Sequence, residues 1–137
     1  MTNEYSINLL YPDLSYKIIG ILFEAYNTLG YGHKEAVYQK TLAVLFDKYE
    51  IQYSQQVQVD LTVNDIIITK GRVDFLIDGK LILEIKTGNS FRLMNIKQLN
   101  GYLKSTNLKL GILANFTSRG LLFKRIVNIY DTNANAE

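Results

Sequence analysis

The sequence contains no cysteine and only one histidine, His33. Without cysteine the chain has no disulfide framework, no thiolate zinc site and no cysteine nucleophile. A single histidine excludes a metal site built from several imidazoles, and we expect His33 to be a capping or surface residue. The absence of cysteine also fits a reducing compartment, so we expect a cytoplasmic protein.

Strong net charge and long apolar runs are lacking as well. The 15 Lys and Arg residues nearly balance 13 Asp and Glu residues, and the net charge of +2 indicates by itself neither nucleic-acid nor membrane binding. No uninterrupted apolar stretch approaches the length that spans a bilayer, and the N-terminus lacks a basic segment followed by a long apolar run. We therefore expect a soluble, unexported protein with no membrane partner.

The chain does have enough apolar content for a core, since 47% of its 137 residues are hydrophobic. Helical spacing of apolar residues is found in three segments, residues 14–29, 34–49 and 92–105. Strand patterns are found in residues 57–63, 66–69, 73–77, 81–86, 108–116 and 121–130. The order ααβββ(β)αββ predicts an α/β or α+β fold with helices packed on a mixed sheet. We place one domain at residues 1–130 and a disordered tail at residues 131–137.

The stretch from residue 73 to residue 88, VDFLIDGKLILEIKTG, reads as two strands joined by a turn. Alternation along the first strand predicts that Val73, Phe75 and Ile77 share one face. If this face and the fully apolar face of the second strand meet the same core, odd-numbered residues must align with odd-numbered residues. A three-residue loop ending in Gly79, a type I turn with the glycine in the left-handed region, gives that register.

The same register brings three charged side chains, Asp74, Glu84 and Lys86, onto one face. Two adjacent carboxylates repel each other unless a cation compensates them, and hard oxygen ligands without His or Cys favour Mg²⁺ or Mn²⁺. Lys86 could then activate a water or neutralise charge that develops on a phosphate. This is the chemistry of phosphodiester hydrolysis. A partly solvated strand face on which Lys86 merely balances two acids is the open alternative.

The spacing of Asp74, a turn and then Glu84-Ile85-Lys86 resembles the D…ExK core of the PD-(D/E)XK nuclease superfamily. Two other segments resemble the small bacterial and archaeal proteins called the GxxExxY family, which are similar to that superfamily. One is GHKEAVY at residues 32–38; the other is QLNGYLK at residues 98–104, followed by LKLG and by Asn115-Phe116. The chain is identified on these motifs as a member of the GxxExxY family.

The resemblance implies a restriction-endonuclease-like core and a nuclease that depends on Mg²⁺ or Mn²⁺. It implies nucleic acid as the partner, with DNA as the expected substrate. Asp74 and Glu84 would be the metal ligands, with the Ile85 carbonyl as a third candidate. Lys86 would take the water-activating role.

Further candidate residues come from the two other motifs. The resemblance implies Glu35 as an additional catalytic acid and Gln98 as a residue that lines the site, although Glu35 could simply complement its helix dipole and Gln98 could be a surface amide. Gly32 is expected to serve the interhelical turn. We expect Tyr38 to pack in the core with its hydroxyl reaching the cleft. Tyr102, four residues after Gln98, shares a helix face with it.

A function without catalysis stays open as the alternative to a nuclease. The chain could be a catalytically silent nucleic-acid-binding or protein-interaction module that retains the nuclease fold, although the intact acids and lysine argue against it. A hydrolase of small phosphoesters would need a closed pocket. A homodimer also stays open, because the two strands of a duplex can be cut by two sites, one in each subunit.

Overall fold

The structure is a computed structural model that describes residues 10–89 and 92–128. Within these ranges three helices and five strands follow the order ααβββαββ: α1 (Pro12–Leu29), α2 (Glu35–Lys48), β1 (Tyr53–Val63), β2 (Ile66–Ile77), β3 (Leu81–Thr87), α3 (Leu93–Thr106), β4 (Leu110–Thr117) and β5 (Gly120–Val127). The predicted α+β fold is confirmed. The optional additional strand is not found in these ranges, because residues 66–69 and 73–77 belong to the single strand β2. The predicted tail at residues 131–137 lies outside the described residues.

The strands form one mixed sheet in the order β1-β2-β3-β4-β5. Strands β3 and β4 are parallel, and the other neighbours are antiparallel. A parallel pair needs a long crossover connection, which α3 supplies here. In the part of the chain that the structure describes, no helix is long and apolar enough to cross a membrane.

The main core lies between one face of the sheet and the helices α1 and α2. The sheet contributes alternate apolar residues to it: Phe75, Ile77, Leu81, Leu83, Ile85, Leu110, Ile112, Ala114 and Phe116. The ring of Tyr38 in α2 stacks on Phe116 at a centroid distance of 4.1 Å, and Tyr26 in α1 stacks on the same ring at 6.1 Å. These contacts anchor the start of α2 beside the ends of β3 and β4, since Phe116 pairs with Thr87.

A second core lies on the opposite face, under α3. Its buried members are Val59, Val73, Ile82, Leu99, Tyr102, Leu103, Leu113 and Ile126. Strand β2 pairs with β3 only over its last three residues, so the rest of the β1–β2 ribbon extends past β3 and packs on α3. The helix therefore has strand β4 on one side and the ribbon on the other.

The turn between β2 and β3 confirms the predicted register and corrects the predicted turn. Phe75 pairs with Leu83, so odd-numbered residues do align. The loop is residues 78–80, however, one position later than predicted. Asp78 and Gly79 both have positive φ, 53° and 64°, which excludes a type I turn. The N–H of Lys80 donates to the Ile77 carbonyl at 2.9 Å. Because Lys80 makes the loop three residues long, odd-numbered residues still pair with odd-numbered residues, whereas a two-residue loop would pair odd with even.

The predicted face of Val73 is wrong. Phe75 packs in the main core, but Val73 packs in the second core, so β2 switches faces at Asp74. The neighbouring strand switches at the same level: Gln56, which lies across from Asp74, has φ 52°. A residue in the left-handed region turns a strand over, and strict alternation cannot anticipate this. The switch lets the ribbon leave the main core and cover α3.

A close approach between the ribbon and α3 can be tested at Gly71. A Cβ atom at this position would lie 2.6 Å from both Cε1 and the hydroxyl oxygen of Tyr102, which is 4% exposed and has little room to move. We expect Gly71→Ala to lower the free energy of unfolding by about 1–3 kcal/mol, as overpacking usually does. Urea denaturation followed by circular dichroism measures the change.

Gly20 provides the matched control, because a Cβ at this position in α1 meets nothing within 4 Å. Gly20→Ala should raise the free energy of unfolding by up to about 1 kcal/mol through helix propensity. The loss in the free energy of unfolding caused by Gly71→Ala should largely disappear when Tyr102 is also replaced by leucine. An equal cost in both backgrounds would show that the contact with Tyr102 is not its source.

Candidate active site

The candidate site forms where β2 and β3 diverge. The backbone N–H of Asp74 donates to Glu84 Oε1 at 3.2 Å, and the backbone N–H of Ile85 donates to Asp74 Oδ2 at 2.7 Å. Side-chain oxygens thus occupy the positions that backbone carbonyls hold in a regular ladder. The two hydrogen bonds place both carboxylates together at the opening between the strands.

Burial sets the charge state of this pair. Glu84 is 6% exposed, and burial, together with the negative charge of Asp74, raises its pKa to about 8. Burial also raises the pKa of Asp74, against the opposing effects of the Ile85 N–H and the Lys86 charge. With no cation bound, Glu84 therefore holds a proton through much of the neutral range. A positive charge placed beside the pair would favour release of this proton.

Lys86 lies near the pair on the same strand as Glu84. Its charge lowers the pKa of both carboxyl groups, which places it within electrostatic range of each. Among the residues that the structure describes, Lys86 forms no ion pair within 4.0 Å. Its half-buried side chain can therefore orient its ammonium group toward a ligand at the pair.

Tyr102 approaches the pair from α3. Burial raises the pKa of its hydroxyl, and the negative charge of Glu84 raises it further, while a hydrogen bond with the Arg72 backbone acts in the opposite direction. Gly71 leaves the space that its ring occupies. Tyr102 thus covers the site from the side of the second core.

Two other sequence candidates, Glu35 and Gln98, make no direct contact with the acid pair that would test their predicted roles. Glu35 is half-buried at the first position of α2, and Gln98 is exposed on α3. No hydrogen bond or ion pair of the described residues joins either side chain to Asp74 or Glu84. Glu35 nevertheless starts a helix that is anchored at the end of the sheet where Lys86 lies.

The residues of the interhelical turn serve mainly structure. Gly32 has φ 105°, in the region that favours glycine. Tyr38 is fully buried, as expected, but its hydroxyl does not reach the acid pair, since it donates to the Gly30 carbonyl at 2.6 Å. The ring of His33 lies 3.0 Å from the Leu29 carbonyl, and it therefore caps the end of α1, as its position in the sequence suggested.

The donor set fits a divalent cation. No cluster of three or more His, Cys, Asp or Glu side chains that could hold a metal is found in residues 10–89 and 92–128. The available ligands are the carboxylates of Asp74 and Glu84, with the Ile85 carbonyl as the predicted third. Mg²⁺ commonly uses one or two carboxylates and keeps several waters. Burial raises the pKa of both acids, and a positive charge bound beside them would lower both pKa values again.

The sequence reasoning assigned no role to one polar residue of this face, Asn115. It is 1% exposed and lies in β4 directly opposite Lys86. Its signal was visible in LGILANFT, where an amide interrupts an apolar strand that is buried along its whole length. A fully buried amide in such a strand indicates a specific hydrogen-bonding task.

A sequence model of the PD-(D/E)XK nuclease superfamily matches residues 12–126 of the chain. The matched range includes the acid pair, Lys86 and both candidate residues on the helices. No curated protein matches the sequence at a significant level.

Solved structures resemble the fold at low sequence identity. A structure of the exonuclease LHK-Exo in complex with dAMP is 13% identical, with a TM-score of 0.50 over 94% of this chain and 76% of that one. Another structure of this alkaline exonuclease, from Laribacter hongkongensis, is 15% identical over 68% of this chain and 55% of that one, with a TM-score of 0.49. SSO0001 is 24% identical over 67% of this chain and 52% of that one, also at 0.49. The chain thus spans about half the length of these last two proteins.

The raised pKa of Glu84 predicts how stability depends on pH in the metal-free protein. Because the folded state holds this proton more tightly than the unfolded state, the stabilisation is complete below the ordinary pKa of 4.5 and is lost as the pH rises through about 8. We expect the free energy of unfolding to fall by roughly 2–4 kcal/mol between about pH 5 and about pH 8.5. Urea titrations with a chelator present measure it.

Glu84→Gln should remove most of this pH dependence, because the amide is neutral at every pH. Asp65→Asn is the control, since Asp65 is an exposed carboxyl in the turn between β1 and β2. It should leave the dependence unchanged. Equal slopes for the wild type and Glu84→Gln would show that the buried pair does not hold the proton.

Proposed function

The chain belongs to the PD-(D/E)XK nuclease superfamily, and from that premise we propose that it hydrolyses phosphodiester bonds of nucleic acid with the help of a divalent cation. Nucleases of this superfamily generally use divalent metal ions. We propose Mg²⁺ or Mn²⁺ as the cation and DNA as the first substrate to test. We also propose that the chain is a GxxExxY protein within the superfamily, on the motifs at residues 32–38 and 98–104.

One observation carries the proposal: the buried carboxyl group of Glu84 and the half-buried carboxyl group of Asp74, both with raised pKa values, are held together beside a lysine. This arrangement does not stabilise the fold, because placing Asp74 and Glu84 side by side away from water costs free energy. The cost is offset when the pair binds a cation. Perturbed acids of this kind are concentrated at functional sites.

The roles of the residues follow from their positions. When bound, the cation would neutralise the acid pair and polarise a phosphate. Asp74 and Glu84 would hold it, and the hydrogen bond from the Ile85 N–H fixes the orientation of Asp74. Lys86, on the same strand, would stabilise the negative charge that develops on the phosphate during attack by water. Tyr102 excludes bulk water from one side, which strengthens these electrostatic interactions.

Basic residues of the ribbon support nucleic acid as the substrate. Lys70 and Arg72 are exposed on β2, and the Arg72 backbone contacts the Tyr102 hydroxyl. Lysine and arginine at this place can neutralise backbone phosphates as a strand enters the site. The dAMP held by the similar exonuclease structure is consistent with a nucleotide ligand for this fold.

The proposal is tested first by cleavage of plasmid, linear duplex DNA, single-stranded DNA and RNA with Mg²⁺ or Mn²⁺. We expect Asp74→Asn, Glu84→Gln and Lys86→Met each to lower kcat/KM by about a hundredfold or more, since each removes a charge that acts on the reacting phosphate. These substitutions keep size and shape, so the folded state should persist. Initial rates of product release give the values.

Asp65→Asn serves again as the control and should cleave like the wild type. Activity that all four variants retain equally would identify a contaminant. No cleavage of any substrate by the wild type would favour the other class of function, a catalytically silent nucleic-acid-binding or protein-interaction module.

Cation binding can be measured without any substrate. Mg²⁺ or Mn²⁺ should raise the free energy of unfolding at about pH 8, by roughly 3 kcal/mol at a concentration of about 100 times Kd. The effect should be much smaller at about pH 5, because protonated carboxyl groups do not bind the ion. Thermal unfolding at increasing cation concentration measures both values.

Asp74→Asn and Glu84→Gln should each abolish most of this stabilisation, whereas Asp65→Asn should retain it. A wild-type protein whose unfolding is unaffected by either cation at about pH 8 would contradict the proposed metal site. Stabilisation of the same size in all variants would place the cation elsewhere.

A further inference from the structure

The side-chain amide of Asn115 has one group in use and one group unused. Its Nδ2 donates a hydrogen bond to the Gly88 carbonyl at 3.0 Å. Its Oδ1 is buried and accepts no hydrogen bond from any of the described residues. Native proteins rarely leave a buried acceptor without a donor, because the oxygen has lost its hydration. We therefore expect a hydrogen-bond donor close to Asn115 Oδ1.

The orientation of this amide follows from its partner. The Gly88 carbonyl can only accept, so the NH₂ group of Asn115 must face it and Oδ1 must point away from it. Gly88 is also held by its own N–H, which donates to the Phe116 carbonyl at 3.4 Å. Gly88, which follows β3, is thus held to β4 by two contacts, one with the Asn115 side chain and one with the Phe116 backbone. The unused oxygen is thus held in a defined direction.

The place of Asn115 in the sheet brings it to the site. Leu113 packs in the second core, whereas Ala114 and Phe116 pack in the main core, so Asn115 lies on the same face as Leu113. Leu113 pairs with Glu84, and Asn115 pairs with Lys86. Side chains of directly paired residues on one face are neighbours.

Lys86 is the complementary partner. Its ammonium group has three N–H donors and no acceptor. It makes no ion pair within 4.0 Å in the part of the chain that the structure describes. An unused acceptor of fixed direction and a flexible cationic donor therefore lie side by side, next to the acid pair.

We propose that Asn115 is a positioning residue: its Oδ1 accepts a hydrogen bond from the Lys86 ammonium group and holds that group beside Asp74 and Glu84. The consequence for catalysis rests on the proposed nuclease function. The contact itself does not, and it can be tested in a protein that cleaves nothing.

The contact is tested by ¹⁵N NMR of the lysine ammonium groups in the intact protein. An ammonium group held by a hydrogen bond exchanges its protons slowly enough to be observed. We expect such a signal in the wild type, assigned to Lys86 by its disappearance in Lys86→Arg. Asn115→Ala should abolish it. If Asn115→Ala does not fold, Asn115→Leu, which is close in volume, replaces it.

Asn89→Ala is the matched control for an indirect effect through the loop. Asn89 Oδ1 accepts hydrogen bonds from the N–H and the hydroxyl of Ser118, so it ties the same loop to the end of β4 through contacts that do not include Lys86. This variant should retain the Lys86 signal. A signal that persists in Asn115→Ala or Asn115→Leu, that is lost equally in Asn89→Ala, or that is missing in the wild type overturns the proposal.

The catalytic consequence is measured on whichever nucleic acid the wild type cleaves. Asn115→Ala should lower kcat by about tenfold to a hundredfold, the range expected for a hydrogen bond to a charged group, and change KM little. In a Lys86→Met background the same substitution should have almost no further effect, because the two residues act as one unit. Independent, multiplicative losses would show that Asn115 does not act through Lys86.

Discussion

The site depends on one exchange of hydrogen bonds between β2 and β3. At the level of Asp74 the two strands stop pairing through their backbones, and carboxylate oxygens accept the N–H groups of Asp74 and Ile85 instead. This keeps the backbone donors satisfied while the strands move apart. It also holds the buried Glu84 beside the half-buried Asp74, although burial and their mutual repulsion oppose ionisation of both acids. The carboxyl groups that replace the backbone pairing are thus the same groups that we propose as metal ligands.

The rest of the fold supports this opening from both faces. Because β2 switches faces at Asp74, its earlier residues leave the main core and cover α3 with the ribbon. Tyr102 can then lie over Gly71 and close one side of the site. On the other face, the stack of Tyr26, Tyr38 and Phe116 fixes the start of α2 near the end of β3. The acid pair therefore lies at the junction of two separately packed cores, which hold its position more rigidly than a loop could.

Holding the two acids together away from solvent costs stability. Desolvation raises the pKa of both Asp74 and Glu84, and the negative charge of Asp74 raises that of Glu84 further. Lys86 reduces this cost through its charge without forming a close ion pair with either acid. In the proposed reaction, a lysine without a close ion pair can interact with the phosphate through its other N–H groups, whereas an ion-paired lysine would first have to break its ion pair. The arrangement is consistent with a site that is completed by its ligands.

The sequence by itself determined the order of the elements, the odd-to-odd register and the shared face of Asp74, Glu84 and Lys86, because these depend on short-range periodicity and on the parity of one loop. It could not determine the face switch at Asp74, since this depends on a left-handed residue, Gln56, on the neighbouring strand. Nor could it place Glu35, Gln98 or the Tyr38 hydroxyl, whose surroundings depend on how helices far apart in the chain pack on the sheet. Only the tertiary structure decided that Asn115 stands beside Lys86, because parallel pairing joins strands that are separated in sequence by a whole helix.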